Sequence, residues 1–136
     1  GKAAQIDRFY YDKMPELVKH PEKSLAHFDF HEDNLYHQDG EITGILDWDM
    51  LRVVDPALEF IRAEHQFRRE GKPVQAFREG YQNQRNLQLD SDTESLYRLT
   101  SELGRLSELQ YLQHTQDIKP DNKDLEETIE NINQIL

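Results

Sequence analysis

Asp29, Asn34 and Asp47 are the residues whose types and spacing can do chemistry in this chain of 136 residues. Moving a phosphoryl group onto a hydroxyl needs a carboxylate that orients the nucleophile and accepts its proton. It also needs oxygen ligands that hold magnesium against nucleotide phosphates. Asp29 fits the first role. Asn34, five residues on, supplies an amide oxygen, and Asp47 supplies a hard anionic oxygen suited to octahedral magnesium.

The same residues admit other readings. Asp29 and Asn34 could cap local backbone N–H groups in a turn, a common habit of both residue types, and Asp47 before Trp48 could simply end a strand. A sharper rival is a transition-metal site of a His/Asp metal-dependent hydrolase. His27, Asp29 and His31 alternate, and on a strand they would share one face with three N/O ligands and an open position. That reading has no H-E-x-x-H helix and leaves Asn34 and Asp47 without roles. His20, His37, His65 and His114 stand alone as surface or hydrogen-bonded histidines, and Trp48 reads as a packing residue.

Several elements must position these groups. Ile6, Phe9, Tyr10 and Met14 recur at helical spacing before Pro15, and Glu16 to Lys19 can add a turn before His20-Pro21. Ser24 to Asp29 reads as extended. Asn34 to His37 and Glu41 to Trp48 flank Gln38-Asp39-Gly40, and Asp-Gly between two such runs predicts a hairpin directly after His31-Glu32-Asp33. Asp55-Pro56 is a helix start, with Asp55 as N-cap, for a helix burying Leu58, Ile61 and Phe67 and ending near Gly71-Lys72-Pro73. Val74, Phe77 and Tyr81 mark the next helix. Ser91 with Glu94 forms a capping-box pattern ahead of Leu96, Leu99, Leu103 and Leu106. Ile118 to Asp121 reads as a connector before a last stripe of Leu125, Ile129, Ile132 and Leu136. The first third, to about Asp49, thus mixes a helix with strands, and the remainder is helical.

The length is that of one domain with a core of its own. The absence of cysteine removes disulfides and thiolate chemistry and suits a cytoplasmic protein. No stretch has the apolar length of a membrane span or a signal peptide. A net charge of −11 argues against nucleic acid as a partner, since phosphate backbones require clustered Lys and Arg. An acidic surface can steer cationic substrates, and it also serves plain solubility.

His27-Phe28-Asp29-Phe30-His31-Glu32-Asp33-Asn34 carries the Asp-to-Asn interval of a kinase catalytic loop. It resembles the H-x-D-x-H-x-x-N signature of aminoglycoside phosphotransferases and their relatives, among them choline, homoserine and methylthioribose kinases. Gly44-Ile45-Leu46-Asp47-Trp48-Asp49 resembles their G-x-x-D-W-(D/E) motif, and Asp55-Pro56-Ala57 the D-P-A that follows. The resemblance implies an α+β, predominantly helical fold, the C-terminal lobe of a protein-kinase-like protein, with a short β-hairpin carrying the catalytic and metal-binding loops. It implies Asp29 as catalytic base or hydroxyl-orienting residue and Asn34 and Asp47 as magnesium ligands. His27 would support the loop and Asp55 would brace the following helix. Mg2+ and ATP or GTP are the implied cofactors, and a small molecule bearing a hydroxyl is the implied substrate.

A Gly-rich phosphate loop and a strand lysine, the parts of a kinase that hold nucleotide, are not found here. The expectation is therefore that residues 1–136 are the catalytic-loop lobe without its nucleotide-binding lobe, a fragment inactive alone. Surfaces left by that lobe could be covered in a homodimer. The competing expectation is a non-catalytic, truncated kinase-like binding module.

Overall fold

The computed structural model describes residues 1–17, 22–87, 89–115 and 121–136. They form five α-helices and four short strands in α+β order: α1 (Lys2–Leu17), β1 (Ser24–Ala26), β2 (Leu35–Gln38), β3 (Glu41–Ile45), β4 (Arg52–Val54), α2 (Pro56–Arg69), α3 (Val74–Gln84), α4 (Ser91–Thr115) and α5 (Asn122–Ile135). Two compact units result, Gly1–Lys19 with Asp90–Leu136, and His20–Leu89. Strand-bearing sequence runs past the boundary expected near Asp49 to the end of β4, and the compact units divide the chain elsewhere. Among the described residues no helix is long and apolar enough to cross a membrane.

The first unit is a set of three helices, α1, α4 and α5. Pro15 lies within the last turn of α1. Its N-terminal neighbours still show helical spacing, but Met14 is 50% exposed rather than packed. Ile6 and Phe9 are half-buried, and two polar side chains of α1 bond to α4: Tyr10 Oη lies 2.7 Å from Thr100 Oγ1, and Lys13 Nζ 2.6 Å from Asp92 Oδ1. The start of α4 differs from the capping box read at Ser91. Asp90 is the cap, with Oδ1 accepting from the backbone N–H of Asp92 and Thr93, while Glu94 pairs with Arg98 inside the helix. A carboxylate one residue earlier satisfies two orphan amides and outcompetes the Ser91 hydroxyl. Leu96 and Leu99 are fully buried, as their spacing predicts, and Leu103 and Leu106 half-buried. On α5 Ile132 is buried, but Ile129 is exposed and Thr128 is fully buried in its place. Thr128 satisfies its hydroxyl on Asp124 O, so the polar residue enters at little cost. Asp121 caps α5 through Lys123 N. The rest of the expected connector, Ile118 to Pro120, lies outside the described residues, as do His20 and Pro21.

The second unit holds all four strands. β1 pairs antiparallel with β4, Ser24 opposite Val54 and Ala26 opposite Arg52, and β2 pairs antiparallel with β3. β4 was not read from the sequence and falls in the stretch after Asp49 that was expected to be helical. The Asp39-Gly40 turn takes positive φ at both residues, 54° and 84°, which is the two-residue turn whose twist suits a hairpin. Thr43 is unopposed in a bulge between Tyr36 and Gly44 on one side and His37 and Ile42 on the other. α2 begins as read, Asp55 Oδ1 accepting from Ala57 N at 2.8 Å with Pro56 in the first position. After its last residue, Arg69, the chain leaves through Gly71 at φ 68°, where Lys72 N reaches Phe67 O and Gly71 N reaches Arg68 O, the paired bonds of a Schellman exit.

The face buried by α2 differs in part from the expected one. Ala57, Phe60, Ile61 and Ala63 are buried, while Leu58 and Phe67 are half-buried. Phe60 is the centre of this packing, stacked on Phe77 at 5.2 Å and tilted against Tyr81 at 4.8 Å. Glu64, 2% exposed, is held between Arg68 and Arg78 and so ties α2 to α3 through a buried ion pair.

Candidate active site

The extended run read from Ser24 to Asp29 stops at Ala26, because Phe28 adopts a left-handed φ of 68°. A phenylalanine there is strained by a clash between Cβ and the backbone and must be held. Both of its backbone polar groups are held from α2. Phe28 N donates to both carboxylate oxygens of Glu59, at 2.9 and 3.1 Å, and Phe28 O accepts from Arg62 at 3.2 Å. The Arg62 guanidinium also lies over the Phe28 ring at 4.3 Å, with Arg52 at 5.0 Å. Burial pushes the Glu59 carboxyl above its ordinary value, against the opposing pull of the Phe28 N–H.

This kink takes His27, Asp29 and His31 off a common strand face, so the three-ligand transition-metal arrangement is not formed. His27 is buried and turns to the hairpin, its Nε2 lying 2.7 Å from Leu46 O. No group of three His, Cys, Asp or Glu side chains able to hold a metal occurs among the described residues.

The kink instead turns Asp29 toward Asn34. A 3₁₀ turn, Glu32–Asn34, follows His31 and brings the Asn34 carboxamide back over the loop, where Nδ2 donates to Asp29 O at 2.9 Å and to Asp29 Oδ2 at 3.2 Å. The same nitrogen lies 3.1 Å from His31 Nε2. Asn34 is only 8% exposed and Asp29 is half-buried. Glu32 pairs with Lys72 at the α2 exit, and that ammonium holds its carboxyl below the usual range.

Asp47 arrives by the hairpin. Leu46 N donates to Asn34 O at 2.8 Å, extending the Leu35–Ile45 register by one step, and Asp47 is the next residue. β3 ends at Ile45 rather than Trp48. Asp47 is left-handed (φ 56°), exposed, and makes no side-chain cap bond to the 3₁₀ turn Trp48–Met50 that follows. Trp48 packs edge-on against His27 at 4.7 Å and donates to Ile45 O. Asp29 and Asn34 are thus in direct contact, and Asp47 is joined to them through the backbone of Leu46. Asp55 stands apart as the α2 cap.

The carboxamide geometry bears on magnesium. With Nδ2 committed to Asp29, Oδ1 is the atom Asn34 can offer to a cation, and Asp47 carries a carboxylate not engaged in capping. Two hard oxygen donors suit an ion that keeps several waters and takes further ligands from phosphates. Glu59, Arg62 and the peptide of Leu46 were missed by sequence reasoning. Glu59 and Arg62 sit at i and i+3 on α2, which marks a shared helix face but carries no signal of what that face meets.

Residues 1–98 match the model of the phosphotransferase enzyme family. Among solved structures the chain is similar to the crystal structure of a thermostable mutant of aminoglycoside phosphotransferase APH(4)-Ia, apo form, with 18% identity and a TM-score of 0.64. The likeness covers 97% of this chain and 43% of that one, so the chain spans less than half the length of that phosphotransferase, and at this identity the likeness concerns the fold. A search of the curated proteins gives no match. With most of its length matched by the family model, the chain belongs to the phosphotransferase enzyme family.

Proposed function

We propose that this chain supplies the hydroxyl-binding and magnesium-binding side of a small-molecule kinase, which transfers the γ-phosphoryl group of ATP or GTP to a hydroxyl. The observation that carries the reading is the contact between Asp29 and Asn34, together with the Leu46 bond that sets Asp47 next to Asn34. In this reading Asp29 orients the substrate hydroxyl and takes its proton as the new O–P bond forms and the bond to the leaving nucleoside diphosphate breaks. Asn34 Oδ1 and the Asp47 carboxylate would hold magnesium, which when bound neutralises charge on the phosphates. His27 holds the loop to the hairpin, and Asp55 fixes the start of α2, from which Glu59 and Arg62 reach the loop.

The nucleotide-binding lobe belongs, in this proposal, outside residues 1–136, and these residues alone do not turn over. The net charge of −11 favours a cationic acceptor. The test is nucleotide-dependent phosphorylation by the full-length protein of a panel of aminoglycosides, choline, homoserine and methylthioribose. Turnover of at least one, lost by about 10²–10⁴-fold in Asp29→Asn, is the expected result. An active protein indifferent to Asp29→Asn would end the assignment.

A further inference from the structure

We propose that Glu59 is a positioning residue for the transfer reaction: by holding the Phe28 backbone left-handed from α2, it keeps Asp29 turned toward Asn34. The inference rests on the reading of Asp29 as the hydroxyl-orienting group given above.

Three non-glycine residues among those described take positive φ: Phe28 at 68°, Asp39 at 54° and Asp47 at 56°. Aspartate tolerates this region because its short polar side chain can bond locally, whereas phenylalanine brings only the clash of Cβ with the backbone. Left to its own preference, Phe28 favours a right-handed or extended backbone by on the order of tenfold in population. Two groups of α2 oppose that preference. The Phe28 N–H meets both Glu59 oxygens, at 2.9 and 3.1 Å, and a carboxylate is a stronger acceptor than a neutral oxygen. Phe28 O accepts from Arg62 at 3.2 Å. The helix that carries both is fixed in place, with Phe60, Ile61 and Ala63 buried and its start capped by Asp55.

The consequence for Asp29 follows from strand geometry. In an extended chain side chains alternate, so Asp29 would lie on the face of His27, which is buried against Leu46 O and Trp48. The left-handed residue between them turns Asp29 off that face and into contact with Asn34, whose Nδ2 is 3.2 Å from Asp29 Oδ2. Glu59 therefore acts on Asp29 through one peptide group. Arg62 is the less specific handle, because its guanidinium also lies over the Phe28 ring at 4.3 Å.

The test is a double-variant cycle in the full-length protein: wild type, Glu59→Ala, Phe28→Gly and the two together. kcat and KM for nucleotide are measured on a panel compound that is turned over, with kcat normalised to the folded fraction. Glycine takes the left-handed region without strain, so Phe28→Gly makes the clamp dispensable. Glu59→Ala should lower kcat on the order of tenfold with nucleotide KM unchanged, and by less than about twofold when made in the Phe28→Gly background. Glu59→Gln keeps an oxygen for the Phe28 N–H without the charge, so its loss should be intermediate, about threefold, and equally suppressed by Phe28→Gly. It replaces Glu59→Ala in the cycle if that variant does not fold. Unchanged kcat in the Glu59 variants of an active protein overturns the proposal. So does a loss of the same size in the Phe28→Gly background, which would assign Glu59 to the small pocket it lines together with Asp29, Phe30 and Gln66. In both cases an inactive Asp29→Asn leaves the phosphotransfer reading standing. If no panel compound is turned over, or Asp29→Asn is as active as wild type, that reading fails and the proposal with it.

Discussion

His27 donates from Nε2 to the carbonyl oxygen of Leu46, 2.7 Å away across 19 residues of sequence. The Leu46 N–H in turn donates to Asn34 O at 2.8 Å, so one residue of the hairpin exit is held on both sides. Because a carbonyl only accepts, His27 donates through Nε2–H, and the buried Nδ1 has no hydrogen-bond partner among the described residues.

Substituting His27 with Leu leaves the Leu46 carbonyl without its donor and should cost about 1–3 kcal/mol in chemical denaturation. A Gln at the same position can return an N–H to that carbonyl and should recover part of the loss. Equal destabilisation by both variants would show that ring packing against Trp48, not the hydrogen bond, holds the loop.

Glu59 has a raised carboxyl pKa because burial penalises its charge more than the Phe28 N–H relieves it. With the folded value above the unfolded one, the folded state binds the proton more tightly. The contribution to stability is then fully present below the ordinary value of 4.5 and is lost as pH rises through the folded pKa. Denaturation of wild type and Glu59→Gln between about pH 4 and about pH 7 should show wild type gaining relative to the variant as pH falls. A difference that stays flat, or runs the other way, contradicts the sign.

Glu64 is 2% exposed and bonded to both Arg68 and Arg78. The Glu64→Ala variant removes the acceptor for both guanidiniums. Since Arg68 is 53% and Arg78 28% exposed, their charges can turn partly to water, so the loss should be about 1–3 kcal/mol rather than that of a wholly stranded pair. Thermal unfolding of Glu64→Ala beside Arg78→Ala checks this, and non-additivity in the double variant reads the coupling between α2 and α3.

Gly40 sits at φ 84° with nothing within 4 Å of the position a Cβ would take. The Gly40→Ala penalty is therefore conformational alone, about 1–2 kcal/mol. It should appear as faster amide exchange across Leu35–Gln38 and Glu41–Ile45, with α4 and α5 unaffected. Slowed or unchanged exchange would show that the turn is not the register-setting element.

Legibility followed the range of the physics. The Asp39-Gly40 turn, the Asp55-Pro56 start, the Gly71 exit and the Leu96/Leu99 stripe all rest on interactions within a few residues, and each took the form its neighbours predict. The failures lie where a side chain had a choice of partners. Asp90 took the α4 cap from Ser91, Thr128 took the buried place from Ile129, and the strand expected through Asp29 broke at Phe28.

What the sequence by itself determined is the set of chemical groups and their order: the carboxylate at Asp29, the amide at Asn34, the second carboxylate at Asp47, and the hairpin and helix start between and beyond them. Only the tertiary structure decided which atoms face each other. The left-handed turn at Phe28 depends on Glu59 and Arg62, 31 and 34 residues away, and the lock on Leu46 depends on His27, 19 residues before it. Such bonds come from packing that brings distant backbone groups into reach, and no local preference of His, Glu or Arg encodes which carbonyl or amide each will meet.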